Sequence, residues 1–192
     1  MSIKKDILID TALRMFYKFG IHAVGINEIL KESGVAKKTL YNHFRSKDEL
    51  IIATIVRRDS HFREWFENKL AEVPAGESAI LNVFQALDHW FKSETKSLGE
   101  FRGCFFINAS AEYEGINPEI YEQCKIHKLQ IRALIYEHVK VTCHSPLDAN
   151  ELTNTICILK EGCISTAFVQ QDLNAAKKMI PVITSLFSSY RS

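Results

Sequence analysis

The stretch INEILKESGVAKKTLYNHFRSKDEL, residues 26–50, decides the fold. Ile26, Ile29 and Leu30 make one short apolar face, and Gly34 supplies the left-handed position that ends a first helix. Val35 turns inward, and Leu40 and Phe44, four apart, give a second helix its buried face. Lys37, Lys38, Thr39, Tyr41, Asn42 and His43 are left pointing outward. Cations suit phosphates, and amide and hydroxyl groups suit base edges, so this face carries what a helix needs to enter the major groove of DNA. Tyr41 has a second reading as a half-buried core residue beside two apolar neighbours.

Working outward, Pro and Gly are scarce and the long segments keep a helical period. The spacing predicts helices over 3–19, 27–33, 37–43, 47–72, 78–97, 104–113, 118–143, 148–169 and 173–190. Breaks fall at Pro74-Ala75-Gly76, Leu98-Gly99, Gly115-Ile116-Asn117-Pro118 and Ser145-Pro146-Leu147, with Asp148 as the expected N-cap of the eighth helix. Ser46 and Glu49 form a capping box at the start of the fourth. Nothing alternates with period two for long enough to build a sheet, so the expected fold is all-α with about nine helices.

The chain of 192 residues has a net charge of +1, which hides an asymmetry. Nine Lys and Arg face five Asp and Glu through Asp48, a net of +4, and the remainder carries −3. Attraction for phosphate is therefore concentrated on a small N-terminal module. No apolar run is long enough to span a bilayer, and MSIKKD lacks the apolar core of a signal peptide, so a cytoplasmic location is expected. The five cysteines have no metal-type spacing, and an odd number in a reducing compartment argues against a disulfide framework. Neither a phosphate loop nor a nucleophile elbow is present, and Cys124-x-x-His127 is too isolated for a zinc site. The chain is read as no enzyme, without cofactor or metal.

The run Gly34-Val35, then Thr39-Leu40-Tyr41, Phe44, Lys47 and Leu50, together with Ile29, resembles the helix-turn-helix of the tetracycline-repressor (TetR) family of bacterial transcription regulators. The likeness extends through the amphipathic helix closed by Gly20 and so covers about the first quarter of the chain. It implies a three-helix DNA-binding domain over residues 1–48 and a helical ligand-binding and dimerisation domain over 49–192. It also implies DNA contacts from Lys37, Lys38, Thr39, Tyr41, Asn42 and His43, and a phosphate contact from Lys47. Asn27, at the start of the first short helix, is placed to reach the same backbone. Two departures stand out. Ala36 replaces the usual Ser or Thr cap, worth roughly 1 kcal/mol, and Lys38 stands where a small residue is frequent.

The resemblance further implies a cavity for a small, mostly apolar effector among the fourth to eighth helices. Phe62, Trp65, Phe66, Phe84, Phe91 and Phe105 fall on the expected inner faces, and Asp88, Asn108 and Glu112 are polar groups on otherwise apolar helices. Plain core for the aromatics, and simple exposure for the three polar residues, are the competing readings. Gly103-Cys104-Phe105-Phe106-Ile107-Asn108 is similar to the sixth-helix G-C-x-x-x-N motif of one TetR subgroup, some members of which sense electrophiles through a cysteine. Cys104 is thus either a sensor or a packing residue.

The last two helices are expected to pair two subunits, through Leu152, Ile156, Leu159, Cys163 and Phe168 on one and Ile180, Ile183, Leu186 and Phe187 on the other. A two-fold dimer predicts a palindromic duplex operator. The function expected is a repressor released by a small-molecule effector of unknown identity. The alternatives are a cysteine-based electrophile or redox sensor and a non-specific architectural DNA-binding protein.

Overall fold

Helix ends set this fold as much as helix faces do. The computed structural model describes residues 3–190, and among these there are nine α-helices and no strand. They are α1 (Ile3–Phe19), α2 (Ile26–Ser33), α3 (Lys37–His43), α4 (Lys47–Ala71), α5 (Glu77–Phe91), α6 (Phe105–Tyr113), α7 (Pro118–Val139), α8 (Pro146–Val169) and α9 (Ala175–Ser189).

The chain divides into two compact units. One comprises the chain up to Ser60 together with Cys104–His127, and the other comprises His61–Gly103 and the chain from Lys128 onward. Compactness therefore divides the chain differently from the expected domains: α6, expected with the sensing half, lies in the same unit as the helix-turn-helix.

In the first unit, Leu8, Ala12 and Phe16 of α1 are buried with Ile29 of α2, Leu40 of α3 and Leu50, Ile51 and Ile55 of α4. Each of these side chains other than that of Ala12 contributes about 1.5–3 kcal/mol relative to exposure. Arg57 of α4 fastens α1 from outside the core, pairing with Asp6 and, at 2.7 Å, with Asp10. On α6, Phe105, Ala109 and Tyr113 recur every four residues and are all buried, as is Phe106.

The turn between α2 and α3 follows from local chemistry. Gly34 sits at φ +66, where a Cβ is disfavoured, and its N–H closes α2 on the Leu30 carbonyl at 3.0 Å. At the other end, the Glu28 carboxylate accepts the Gly25 N–H at 2.7 Å. No side chain caps α3, because Ala36 has none to offer. In α4, Ser46 Oγ accepts the Glu49 N–H at 3.2 Å, but Glu49 reaches back to the N–H of Arg45 rather than that of Ser46.

The second unit is built on α5, which packs against α9 and α8. Among the helix ends that differ from the sequence expectation, three have a local cause. α5 stops at Phe91 because Ser93 turns left-handed at φ 60. α7 stops at Val139, whose carbonyl accepts both the N–H and the hydroxyl of Thr142. α8 starts earlier because Ser145, not Asp148, is its cap: Ser145 Oγ accepts the Asp148 N–H at 3.1 Å, and Pro146 occupies the first turn.

Part of the stripe expected to pair two subunits is used within one chain, while Leu159, Ile180 and Leu186 are half-buried. Leu152, Ile156, Ile183 and Phe187 are fully buried, and Cys163 nearly so, as the seam among α5, α8 and α9. Phe168 of the expected stripe stays exposed instead, together with Leu147, Ile158 (72%), Val169 (74%) and Val182. No helix among the described residues is long and apolar enough to cross a membrane.

Candidate nucleic-acid interface

The outward face of α3 is the candidate interface. Lys37, Lys38, Tyr41 and Asn42 are exposed, and Thr39 and His43 are half-buried at its edges. Tyr41 is 48% exposed, so its ring stands out from the core rather than completing it. Asn27 is exposed on the first turn of α2. Arg45, not singled out from sequence, adds a cation just beyond α3 with 93% of its side chain exposed. Its only sequence signal is a basic residue between two helices, which is common on any surface.

Lys47 is the exception. Its ammonium donates to the Ile21 carbonyl at 2.8 Å and lies 5.7 Å from the centre of the Phe16 ring. Burial lowers its pKa below the usual lysine range, against the opposing pull of Glu112, Asp48 and Glu28. A phosphate contact from Lys47 requires that this hydrogen bond be shared or surrendered.

The segments before and after the helix-turn-helix are tied to residues distant in sequence. Glu112 of α6 accepts the backbone N–H groups of Ile21 and His22, at 3.0 and 2.7 Å. Beside it the Tyr113 ring stacks on the His22 imidazole, with centroids 4.8 Å apart and planes 15° from parallel. Burial, and then the neighbouring Asp48 and Glu112 carboxylates, push the Tyr113 phenol up to about 12. Asn117 Nδ2 donates to Asp48 at 2.8 Å while its Oδ1 caps α7. Farther along, His127 pairs with Asp59 at 2.7 Å and stacks on Phe106 at 3.5 Å. None of these partners is near α3 in the chain, so no local pattern announces them.

The residues expected to line an effector cavity do not gather in one unit. Phe62, Trp65, Phe66, Phe84, Asp88 and Phe91 are buried in the second, where the Phe62 ring lies 5.3 Å from Trp65 and 6.0 Å from Phe66. Asp88 receives the Lys92 ammonium on Oδ2 at 2.5 Å, while its Oδ1 is buried without a hydrogen-bond partner. Cys104, Phe105, Asn108 and Glu112 lie in the first unit. There Cys104 and Phe105 are buried and Asn108 is exposed. An open groove of about 790 Å³ in the second unit is lined by Trp65 and polar residues such as His61, Glu64, Asn82 and His89. It shares only Trp65 with the expected set. Among the described residues no group of three or more His, Cys, Asp or Glu is placed to hold a metal ion.

Comparison with known proteins agrees with this geometry. Residues 8–54 match the model of the bacterial regulatory proteins of the tetR family. Over 132 residues, 68% of this chain, the sequence is 28% identical to the HTH-type transcriptional repressor ComR of Escherichia coli (strain K12), and the aligned part spans 61% of ComR. An uncharacterized HTH-type transcriptional regulator in the lacX 3' region of Lactococcus lactis subsp. lactis is 23% identical over 185 residues, 95% of this chain and 92% of that protein. The crystal structure of SCO4454, a TetR-family transcriptional regulator from Streptomyces coelicolor, has a TM-score of 0.86 at 25% identity, covering 100% of this chain and 91% of the other. The N-terminal part of the chain thus matches a tetR-type DNA-binding domain, and its fold is similar to that of a TetR-family transcriptional regulator.

Proposed function

We propose that the chain is a transcriptional repressor that binds a palindromic operator as a homodimer and leaves it when a small-molecule effector binds. The observation that carries the DNA-binding part is the face of α3, where Lys37, Lys38, Tyr41 and Asn42 are exposed together on a module of net +4. Lys37, Lys38 and Arg45 supply charge for phosphates, while Tyr41 and Asn42, with Thr39 and His43 at the margins, supply base-edge contacts. Asn27 and Lys47 serve at the flanking backbone. In this reading residues 1–48 bind DNA, and residues 49–192 pair the subunits and take the effector.

Pairing runs through the faces of α8 and α9 left uncovered: Ile158, Val169 and Val182 are exposed, and Gly162 has open space where a Cβ would stand. Burial of such apolar area on association is favourable. Ile158→Glu is expected to turn a dimer into a monomer in analytical ultracentrifugation.

For the effector, the support is the aromatic set on α4 and α5 beside Asp88, whose Oδ1 has no partner. A buried acceptor without a donor is a polar anchor for a ligand. ComR is a repressor by name, which favours that sign here. The cysteine-sensing alternative, and with it the role of the Gly103–Asn108 motif, has less support because Cys104 is 8% exposed.

Selection from random duplexes tests the reading. A repressor of this kind enriches a palindrome whose half-sites lie about one helical turn apart, roughly 10 base pairs. Equal binding to every duplex, with a steep salt dependence, would replace it by the architectural alternative.

A further inference from the structure

We propose that Glu112 is a positioning residue for DNA recognition, a carboxylate on α6 that fixes the turn from which the helix-turn-helix starts. The inference rests on the DNA-binding reading above and adds to it a residue that touches no DNA.

α1 ends at Gly20, whose φ of +88 reverses the backbone and turns the following N–H groups to one side. A left-handed turn of this kind forms a concavity of successive N–H groups that suits an anion. Here the anion is internal. Glu112 Oε1 accepts the Ile21 N–H at 3.0 Å and Oε2 accepts the His22 N–H at 2.7 Å. Hydrogen bonds from amides to a carboxylate are stronger than those between neutral groups. The carbonyl of the same Ile21 accepts the Lys47 ammonium at 2.8 Å. One buried residue thus has its N–H held by α6 and its C=O held by the first residue of α4. Asn117, just past α6, reaches Asp48, the next residue of α4. α2 begins four residues after His22 and carries α3 with it, so the pose of the reading face is tied to α6 through this joint.

Charge alone makes the opposite prediction. Glu112 is an acid in a module meant to meet phosphates, so removing its charge should strengthen binding to any duplex. Positioning predicts weaker binding to the operator specifically. Glu112→Gln keeps the length and removes the charge, whereas Glu112→Asp keeps the charge and shortens the reach.

The test measures both full-length variants against the wild-type protein. Affinity is read over a salt series on the duplex that the wild type selects from a random pool and on a scrambled duplex. Amide hydrogen exchange is read at Ile21 and His22. The expected result is a roughly tenfold loss of operator affinity for both variants. The salt slope and the scrambled-duplex affinity stay unchanged, and exchange is faster at the two amides. Operator binding by Glu112→Gln that equals or exceeds wild type, or wild-type behaviour of Glu112→Asp, overturns the positioning role while leaving the DNA-binding reading intact. A wild-type protein that selects no duplex overturns both.

Discussion

α3 and α6 are both short helices of the same compact unit, with 7 and 9 residues, and they are used in opposite ways. α3 buries Leu40 and leaves most of its surface to solvent. α6 buries Phe105, Phe106, Ala109 and Tyr113 and gives Glu112, its polar residue near the end, to the backbone of another segment. A surface that must read another molecule cannot be satisfied internally, whereas a surface that holds such a reader in place must be. The two helices should therefore fail in different assays when they are altered.

The largest expected effect is on α6. Phe106→Ala removes a ring that is 3% exposed and stacked on His127, and should cost about 3–5 kcal/mol of stability by denaturant unfolding. A change under about 1 kcal/mol would break the comparison, because α6 would then not be held by its core. Next comes the reading face. Asn42→Ala is expected to lose about 1–3 kcal/mol of operator binding, with stability within about 0.5 kcal/mol of wild type. If unfolding shifts as far as binding, α3 is packed rather than presented. Lys38→Ala sharpens the division within α3: binding should weaken alike on all sequences and the salt slope should fall by about 1. An unchanged slope would remove Lys38 from the phosphate contacts. The smallest effect is at Ala36, where no side chain caps α3. Ala36→Ser should add up to about 1 kcal/mol in thermal unfolding and leave operator preference as it was.

The same contrast explains what could be read in the chain before any coordinates. Ile29, Gly34, Leu40 and Phe44 act through spacing, and each is buried or turned as its spacing predicts. Residue type does not choose between Ser145 and Asp148 as the cap of α8, since both are good caps three residues apart, and the structure uses Ser145. Leu152, Ile156, Ile183 and Phe187 show a limit of stripe reading. Periodicity marks an apolar face but not whether the chain's own helices or a second copy cover it, and here the chain's own helices do. Lys47 shows that a charge expected at phosphate by resemblance also has an acceptor within the chain, the carbonyl of Ile21.

By itself, the sequence determined the helical class, the position of α3 and the chemistry on its outer face. Those properties follow from intervals of three and four residues, from a glycine at a turn and from the polarity of consecutive side chains. Only the tertiary structure decided which polar groups are engaged. Glu112 meets backbone groups 90 and 91 residues away, and Asn117 meets Asp48 across 69. Hydrogen bonds need their partners within about 3 Å, and no spacing along a chain says which distant atoms folding will bring that close.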